Sequence, residues 1–244
     1  MTDLNTNPSK EGVSTHAIKD VWAYNKGEYL GTYTLPATIP VLKEGKESIE
    51  LIAGIEVNGI STTRAQYPFF LQVQEKISLT PKKFDTLRPT FQYQQSTQFP
   101  FIEDFDEGNG FFNLNRVESM NDPEVRYGEG AGYLHIPASS DTTYYFESKD
   151  PFNVPAEGAP VFLELDYKSD VDITAGLRLI RGNKSSDQYK LGLRDQDNWN
   201  KIYINYTPEI TKSNANQVKI LFKVRINQIN EDAEVYVDNV KLVN

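Results

Sequence analysis

Ala233-Glu234-Val235-Tyr236-Val237-Asp238-Asn239-Val240-Lys241-Leu242-Val243 is the stretch on which the fold turns. Residues of one parity share a face of a strand. Val235 and Val237 have one parity, Val240 and Leu242 the other. One extra residue at Asp238-Asn239 returns all four to the same side, which predicts a β-bulge in a closing strand. The same period of two recurs upstream, in Val161, Leu163, Leu165 and Tyr167 and in Val218, Ile220, Phe222, Val224 and Ile226. Glu164, Asp166 and Lys168 alternate with the first set, and Lys219, Lys223 and Arg225 with the second. Each strand is therefore expected to have one dry and one wet face, as in an antiparallel sandwich. Strands are expected at 131–136, 142–147, 160–168, 173–181, 188–194, 200–206, 217–227 and 233–243. Their number and spacing fit a jelly roll.

The first part of the chain is patterned in the same way on a smaller scale. Ile18 to Tyr24 and Tyr29 to Leu35 read as strands joined at Asn25-Lys26-Gly27, where glycine tolerates a positive φ. Pro36 and Pro40 interrupt pairing. Ile49, Leu51, Ala53, Ile55 and Val57 alternate up to Asn58-Gly59, a strong hairpin signal. Tyr67 to Ile77 alternates again. Thr80 to Gln98 holds prolines and glutamines, and Phe84, Leu87, Phe91 and Tyr93 predict that it packs instead of hanging free. The start, Met1 to Gly12, is polar and turn-rich. The chain is thus expected to be all-β: a flexible tether at 1–17, a small β-sandwich at 18–79, a packed connector at 80–98 and a jelly-roll β-sandwich at 99–244.

Composition narrows the function. Hydrophobic residues at 39% and aromatic residues at 12% can fill a core, so global disorder is excluded. The 14 Tyr and 13 Phe against 2 Met favour strands. A net charge of −9 argues against nucleic acid and against anionic membrane surfaces as partners. The absence of Cys removes disulfides, thiolate metal sites and a thiol nucleophile. No stretch is apolar enough to span a bilayer, and no signal peptide is visible.

The run Val235 to Val240, hydrophobic-x-hydrophobic-Asp-Asn-Val, resembles the final strand of the galactose-binding-like jelly rolls seen in carbohydrate-binding modules. The opening Glu103-Asp104-Phe105 is similar to the start of jelly-roll modules in surface proteins. Gly31 to Pro36, with Gly54-Ile55 and Asn58-Gly59, looks like the small β modules of exported Bacteroidota proteins and is similar to the carboxypeptidase-regulatory-like sandwich. These resemblances imply an exported, lipid-tethered, non-catalytic protein at the cell surface or in the periplasm. They imply a glycan as ligand or, as an alternative, a structural or accessory role against other envelope proteins. They also imply a structural Ca²⁺ held by Glu103, Asp104 or Asp106 from the opening strand and Asp238 from the last. The competing reading of Asp238 is that it caps its own bulge.

Two further sets of residues carry candidate chemistry. Glu164 and Asp166 point to one face of a strand, and retaining glycosidases need two carboxylates about 5 Å apart. One jelly-roll glycosidase family resembles this with a Glu-hydrophobic-Asp strand. Here the second Glu of that family is missing and Lys168 shares the face, so a solvated charged face is the expectation and a catalytic role the minor alternative. His16 and His135 have no flanking elbow or oxyanion hole. For sugar binding the best cluster is Asp195 to Asn200, with Trp199 as a stacking ring, Asn198 and Tyr203 beside it, and Arg178 and Arg181 on a neighbouring strand. The alternative is that Trp199 plugs one end of the sandwich.

Overall fold

A computed structural model of the chain describes residues 2–122, 124–125, 127–227 and 229–244. The chain forms two compact units, Met1–Ser9 with Ser14–Thr97, and Lys10–Val13 with Gln98–Asn244. Among the described residues, no helix is long and apolar enough to cross a membrane.

The first unit contains β1 (Asp3–Leu4), β2 (Asp20–Asn25), β3 (Glu28–Thr34), β4 (Gly45–Glu56), β5 (Arg64–Gln66), β6 (Val73–Leu79) and β7 (Thr90–Phe91), and a helical turn α1 starts within it (Pro8–Glu11). Strands β3-β2-β4-β5, with β6 also on β4, make a five-stranded sheet, and β1 pairs with β7 in parallel. Lys26 and Gly27 take φ of 49° and 81°, and Asn58 and Gly59 take 57° and 65°. Two successive left-handed residues match the right-handed twist of a tight hairpin. Asp20, with its side chain 3% exposed, is held by Arg64 at 2.9 Å and by the Thr34 hydroxyl at 2.8 Å.

Three expectations change here. Residues 1–17 are no flexible tether, since Leu4 is buried and its strand pairs with β7; Met1 lies outside the described residues. The strand expected over Tyr67 to Ile77 leaves the sheet between Gln66 and Val73. Pro68 has no N–H for the ladder, and Tyr67, Phe69 and Phe70 turn into the core, with Phe70 also packing on Tyr93. In the connector Phe91 and Tyr93 are buried, but Phe84 is 87% exposed.

The second unit contains β8 (Phe101–Glu103), β9 (Phe111–Phe112), β10 (Asn115–Glu118), β11 (Gly130–Ile136), β12 (Thr143–Ser148), β13 (Phe152–Asn153), β14 (Phe162–Ser169), β15 (Ile173–Arg181), β16 (Lys184–Leu193), β17 (Gln196–Asn205), α2 (Thr207–Ser213), β18 (Gln217–Arg225) and β19 (Ala233–Val243). Two six-stranded sheets form: β10-β11-β19-β14-β17 with β8 on β19, and β16-β15-β18-β12-β9 with β13 on β18. Leu163, Leu165, Leu177, Ile220, Phe222 and Val237 belong to one core cluster filled from both sheets.

The bulge sits where the parity switch places it. Glu164 pairs with Lys241 and Asp166 with Asp238, so one more residue lies on β19 than on β14. Asn239 takes a φ of 48°, and its N–H donates to Asp238 Oδ1 at 2.6 Å. Val235, Val237, Val240 and Leu242 all enter the core. Before the bulge β19 pairs with β11, and after it with β8.

The expected wet face of β14 is dry. Glu164 is 0% exposed and Asp166 1%, and Asp238, Asn239 and Lys241 of β19 are buried beside them. Lys201, its side chain 4% exposed, stands 3.5 Å from Glu164 and 3.6 Å from Asp166. Residues 10–13 cover part of this face: the Val13 carbonyl accepts from Lys241 Nζ at 2.7 Å. Gly12, at φ +69°, lies so close to Lys241 and Ile102 that a Cβ would stand 3.0 Å and 3.1 Å from their side chains.

Candidate functional site

The outer face of the β16-β15-β18-β12-β9 sheet gathers aromatic and charged side chains. Alternation sends Leu177, Leu179, Val218, Ile220, Phe222 and Val224 into the core. Arg178, Lys219, Lys223 and Arg225 are thereby turned outward. Strand register sets them in rows. One row runs Phe112, Glu147, Leu221, Gly176, Tyr189. The next has Tyr145 opposite Lys223 and Lys223 opposite Thr174. On the other side lie Lys219, Arg178 and Asp187.

Tyr145 is 53% exposed and Phe112 49%. Tyr189 leans over Gly176, where a Cβ would meet the Tyr189 ring at 2.9 Å, so glycine at that position lets the ring lie on the sheet. Burial pushes the Tyr189 phenol up from its ordinary range. The Lys223 ammonium stands 4.3 Å from the centre of that ring, a cation–π contact. Arg178 makes a two-pronged pair with Asp187 at 2.7 Å and 3.0 Å and reaches Glu147 at 3.0 Å. Its guanidinium is held more firmly charged, chiefly by the bond to Asp187. Lys219 joins Glu147 at 3.5 Å and the Lys149 carbonyl at 2.9 Å. The face therefore offers flat rings beside donors and acceptors already fixed in position. Rings of this kind cover the apolar side of a pyranose, and fixed charged groups hydrogen-bond its hydroxyls.

The residues singled out from sequence do not form one site. Trp199, Asn198 and Tyr203 lie on β17, in one sheet, while Arg178 and Arg181 lie on β15, in the other. The reason is the turn after β16, which carries the chain across the sandwich, so sequence neighbours stop being spatial ones. Tyr203 is 1% exposed and offers nothing to a ligand. Arg181 stands at the tip of the β15–β16 hairpin beside Asn214. Arg178 alone belongs to the face described above.

Trp199 is partly buried. Its Nε1 donates to the Glu124 carbonyl at 2.8 Å, and its ring meets Tyr127 at 5.9 Å and Tyr236 at 6.3 Å. The Tyr236 hydroxyl, with one proton to donate, lies 2.9 Å from Asp122 Oδ2 and 3.0 Å from Glu234 Oε2. Trp199 thus pins Glu124 and Tyr127 onto the sheet. Trp199→Ala is expected to lower unfolding free energy by about 2 kcal/mol, below the cost of a fully buried Trp; a urea titration measures it, and an unchanged midpoint would show the ring to be idle in the fold.

The acidic residues expected to hold calcium are engaged with backbone. Glu103 Oε1 accepts from Phe105 N at 2.8 Å and Oε2 from Gly110 N. Asp104 accepts from Asp106 N at 3.2 Å, and Asp106 from Gly130 N at 3.1 Å and Glu129 N. Asp238 binds the amide of its own bulge. Among the described residues, no three His, Asp or Glu side chains meet as a metal-binding group. Calcium takes six to eight oxygens, so backbone carbonyls would have to complete a shell around any of these carboxylates. Glu164 and Asp166 are sealed from solvent beside Lys201, so they present no open pair of carboxylates to a glycosidic bond. His135 is paired loosely with Asp232 at 3.8 Å.

Tyr145 and Phe112 are not among the residues that the sequence singled out. The signal available was parity: Phe111 and Phe146 alternate with Phe112 and Tyr145, so only one member of each neighbouring pair can enter the core.

No protein-family model and no curated protein matches the chain. Among solved structures it is similar to a family 61 carbohydrate-binding module in complex with β-1,4-galactotriose, at 14% identity and a TM-score of 0.39 over 57% of this chain and 93% of that one. It is similar to the family 30 carbohydrate-binding module of a cellulosomal cellulase of Clostridium thermocellum, at 13% identity and 0.40 over 60% and 96%. It is also similar to the enzymatically active domain of a bacteriophage CBA120 tailspike protein, at 15% identity and 0.43 over 57% of this chain and 20% of that one.

Proposed function

We propose that this all-β protein is a non-catalytic binding protein whose jelly roll takes carbohydrate on the β16-β15-β18-β12-β9 face. The observation that carries the reading is the half-exposed Tyr145 ring beside Tyr189, on a sheet whose Arg178, Glu147, Asp187 and Lys219 are locked together. Such a face needs little reordering to bind, which favours recognition by an open sheet surface. Weak binding is expected, with Kd on the order of 10⁻⁴ M, or about −5 kcal/mol. A module of this kind works where polysaccharide is met, at a cell surface or in a periplasm, and export with a lipid tether belongs to the same proposal.

The test is a glycan array of the full chain, followed by calorimetry on the glycan retained. Tyr145→Ala is expected to weaken binding at least tenfold while shifting the melting temperature by less than about 3 °C, because a ring so exposed contributes little to the core. Binding unchanged in this variant would remove the face from consideration.

A second reading, an accessory protein that contacts other envelope proteins, draws on the first unit. There Leu35, Ile39, Val41, Ile77, Leu79 and Leu87 line a groove of about 490 Å³. Leu42 and Phe84 stand 94% and 87% exposed on the same loops. Exposed apolar side chains gathered around one groove favour protein contact.

A further inference from the structure

The charges on the aromatic face are unevenly satisfied. Arg178 is taken by Asp187 and Glu147, and Lys219 by Glu147 and a backbone carbonyl. Lys223 and Arg225, two residues apart on β18, are turned to the same side. Lys223 rests on the Tyr189 ring. Among the described residues no ion pair engages Lys223 or Arg225, whereas Arg178 and Lys219 are held by Glu147 and Asp187. Tyr145 is the cross-strand partner of Lys223, and Thr143 that of Arg225. The result is a cationic end of the face around the exposed ring, in a chain whose net charge is −9.

Like charges held side by side repel each other, and a ligand that brings negative charge relieves that repulsion. A neutral sugar would gain only the ring and the hydroxyl contacts. We propose that the face is built for an acidic polysaccharide, with a hexuronate ring stacked on Tyr145 and its carboxylate paired with Lys223, while Arg225 takes a second carboxylate further along the chain. Lys223 and Arg225 lie about 7 Å apart along the strand, from the rise per residue of a β-strand, so one extended glycan can engage both. This inference rests on the carbohydrate-binding reading above and adds the charge of the ligand to it.

The experiment uses the full chain and two matched sets of probes: oligomers of galacturonate, mannuronate and guluronate, and the same oligomers with their carboxylates chemically reduced to alcohols. At least one oligouronate is expected to bind tenfold or more tightly than its reduced counterpart. That advantage should shrink as salt is raised, since exposed charges are screened. Lys223→Gln with Arg225→Gln should remove the advantage by weakening the acidic oligomer at least tenfold more than the reduced one, and Lys223→Arg with Arg225→Lys should restore it. Tyr145→Ala should weaken both probes together. Melting curves of each variant check that the fold survives, and the charge-keeping variants hold the test open if the glutamine pair is destabilised. Equal affinity for acidic and reduced oligomers, or an advantage that survives the glutamine pair, overturns the acidic preference and leaves carbohydrate binding standing. A full chain that retains no oligomer of either set, and nothing on the array, overturns both.

Discussion

Between about pH 6 and about pH 8 the melting temperature of the native chain is expected to fall by about 6–12 °C, and Asp238→Asn to flatten most of that fall. Asp238 lies buried at the bulge, where desolvation above all, and then the neighbouring Asp166 and Asp106, push its carboxyl up to about 9. Its Oδ2 has no hydrogen-bond partner among the described residues. An unfolded Asp releases its proton near pH 4. The folded state therefore keeps a proton that the unfolded state has lost, through the window from about 4 to about 9. Its contribution to stability is present in full below the lower value and declines through the window. The slope is about 1.4 kcal/mol per pH unit for one proton, or about 3 kcal/mol over two units, and about 2–4 °C per kcal/mol for a unit of this size. Lys241 acts in the opposite sense but higher: burial pulls its ammonium down to about 8, so stability rises with pH only from about 8 to the ordinary lysine value. Scanning calorimetry on both proteins decides the matter. A parallel decline in Asp238→Asn would assign the proton to another group.

Lys201→Met is expected to cost about 3 kcal/mol. The ammonium stands within 3.6 Å of both Glu164 and Asp166, all three side chains nearly sealed from water. Removing one side of a buried ion pair leaves the other charge uncompensated, whereas replacing the whole set with neutral groups can be close to harmless. The triple variant Lys201→Met, Glu164→Gln, Asp166→Asn should therefore be more stable than Lys201→Met alone by at least about 1 kcal/mol. Denaturant titration at fixed pH measures both, and additive losses across the three sites would show that the charges do not act as a set.

Much of this architecture can be read from alternation. The strands 173–181 and 233–243 have the observed ends, and Asn25-Lys26-Gly27 and Asn58-Gly59 turn as their residues require. The bulge follows from the parity of four side chains. What alternation cannot supply is the identity of the layer beyond a face. Glu164 and Asp166 look like wet-side residues because every second residue of β14 is apolar, yet that second face is covered as well. Nor does it supply strand order. Arg178 and Trp199 are close in sequence and sit on opposite sheets because one short turn crosses the sandwich. Tyr145 and Phe112 show a third limit: parity says that one ring of each neighbouring pair faces outward, but not which one.

The position of β19 has a consequence for how the chain is made. It runs through the middle of its sheet, between β11 and β14 and then beside β8, and its Lys241 is bonded to Val13, 228 residues earlier. A nascent chain that has not yet extended past Val243 lacks the centre of one sheet and leaves β8, β11 and β14 with open edges. The second unit therefore cannot close stepwise as it leaves the ribosome. Its central strand is missing until Val243 has emerged, and closing the sheet then joins residues far apart in sequence. A chain cut before β19 lacks that strand and leaves the unit unclosed.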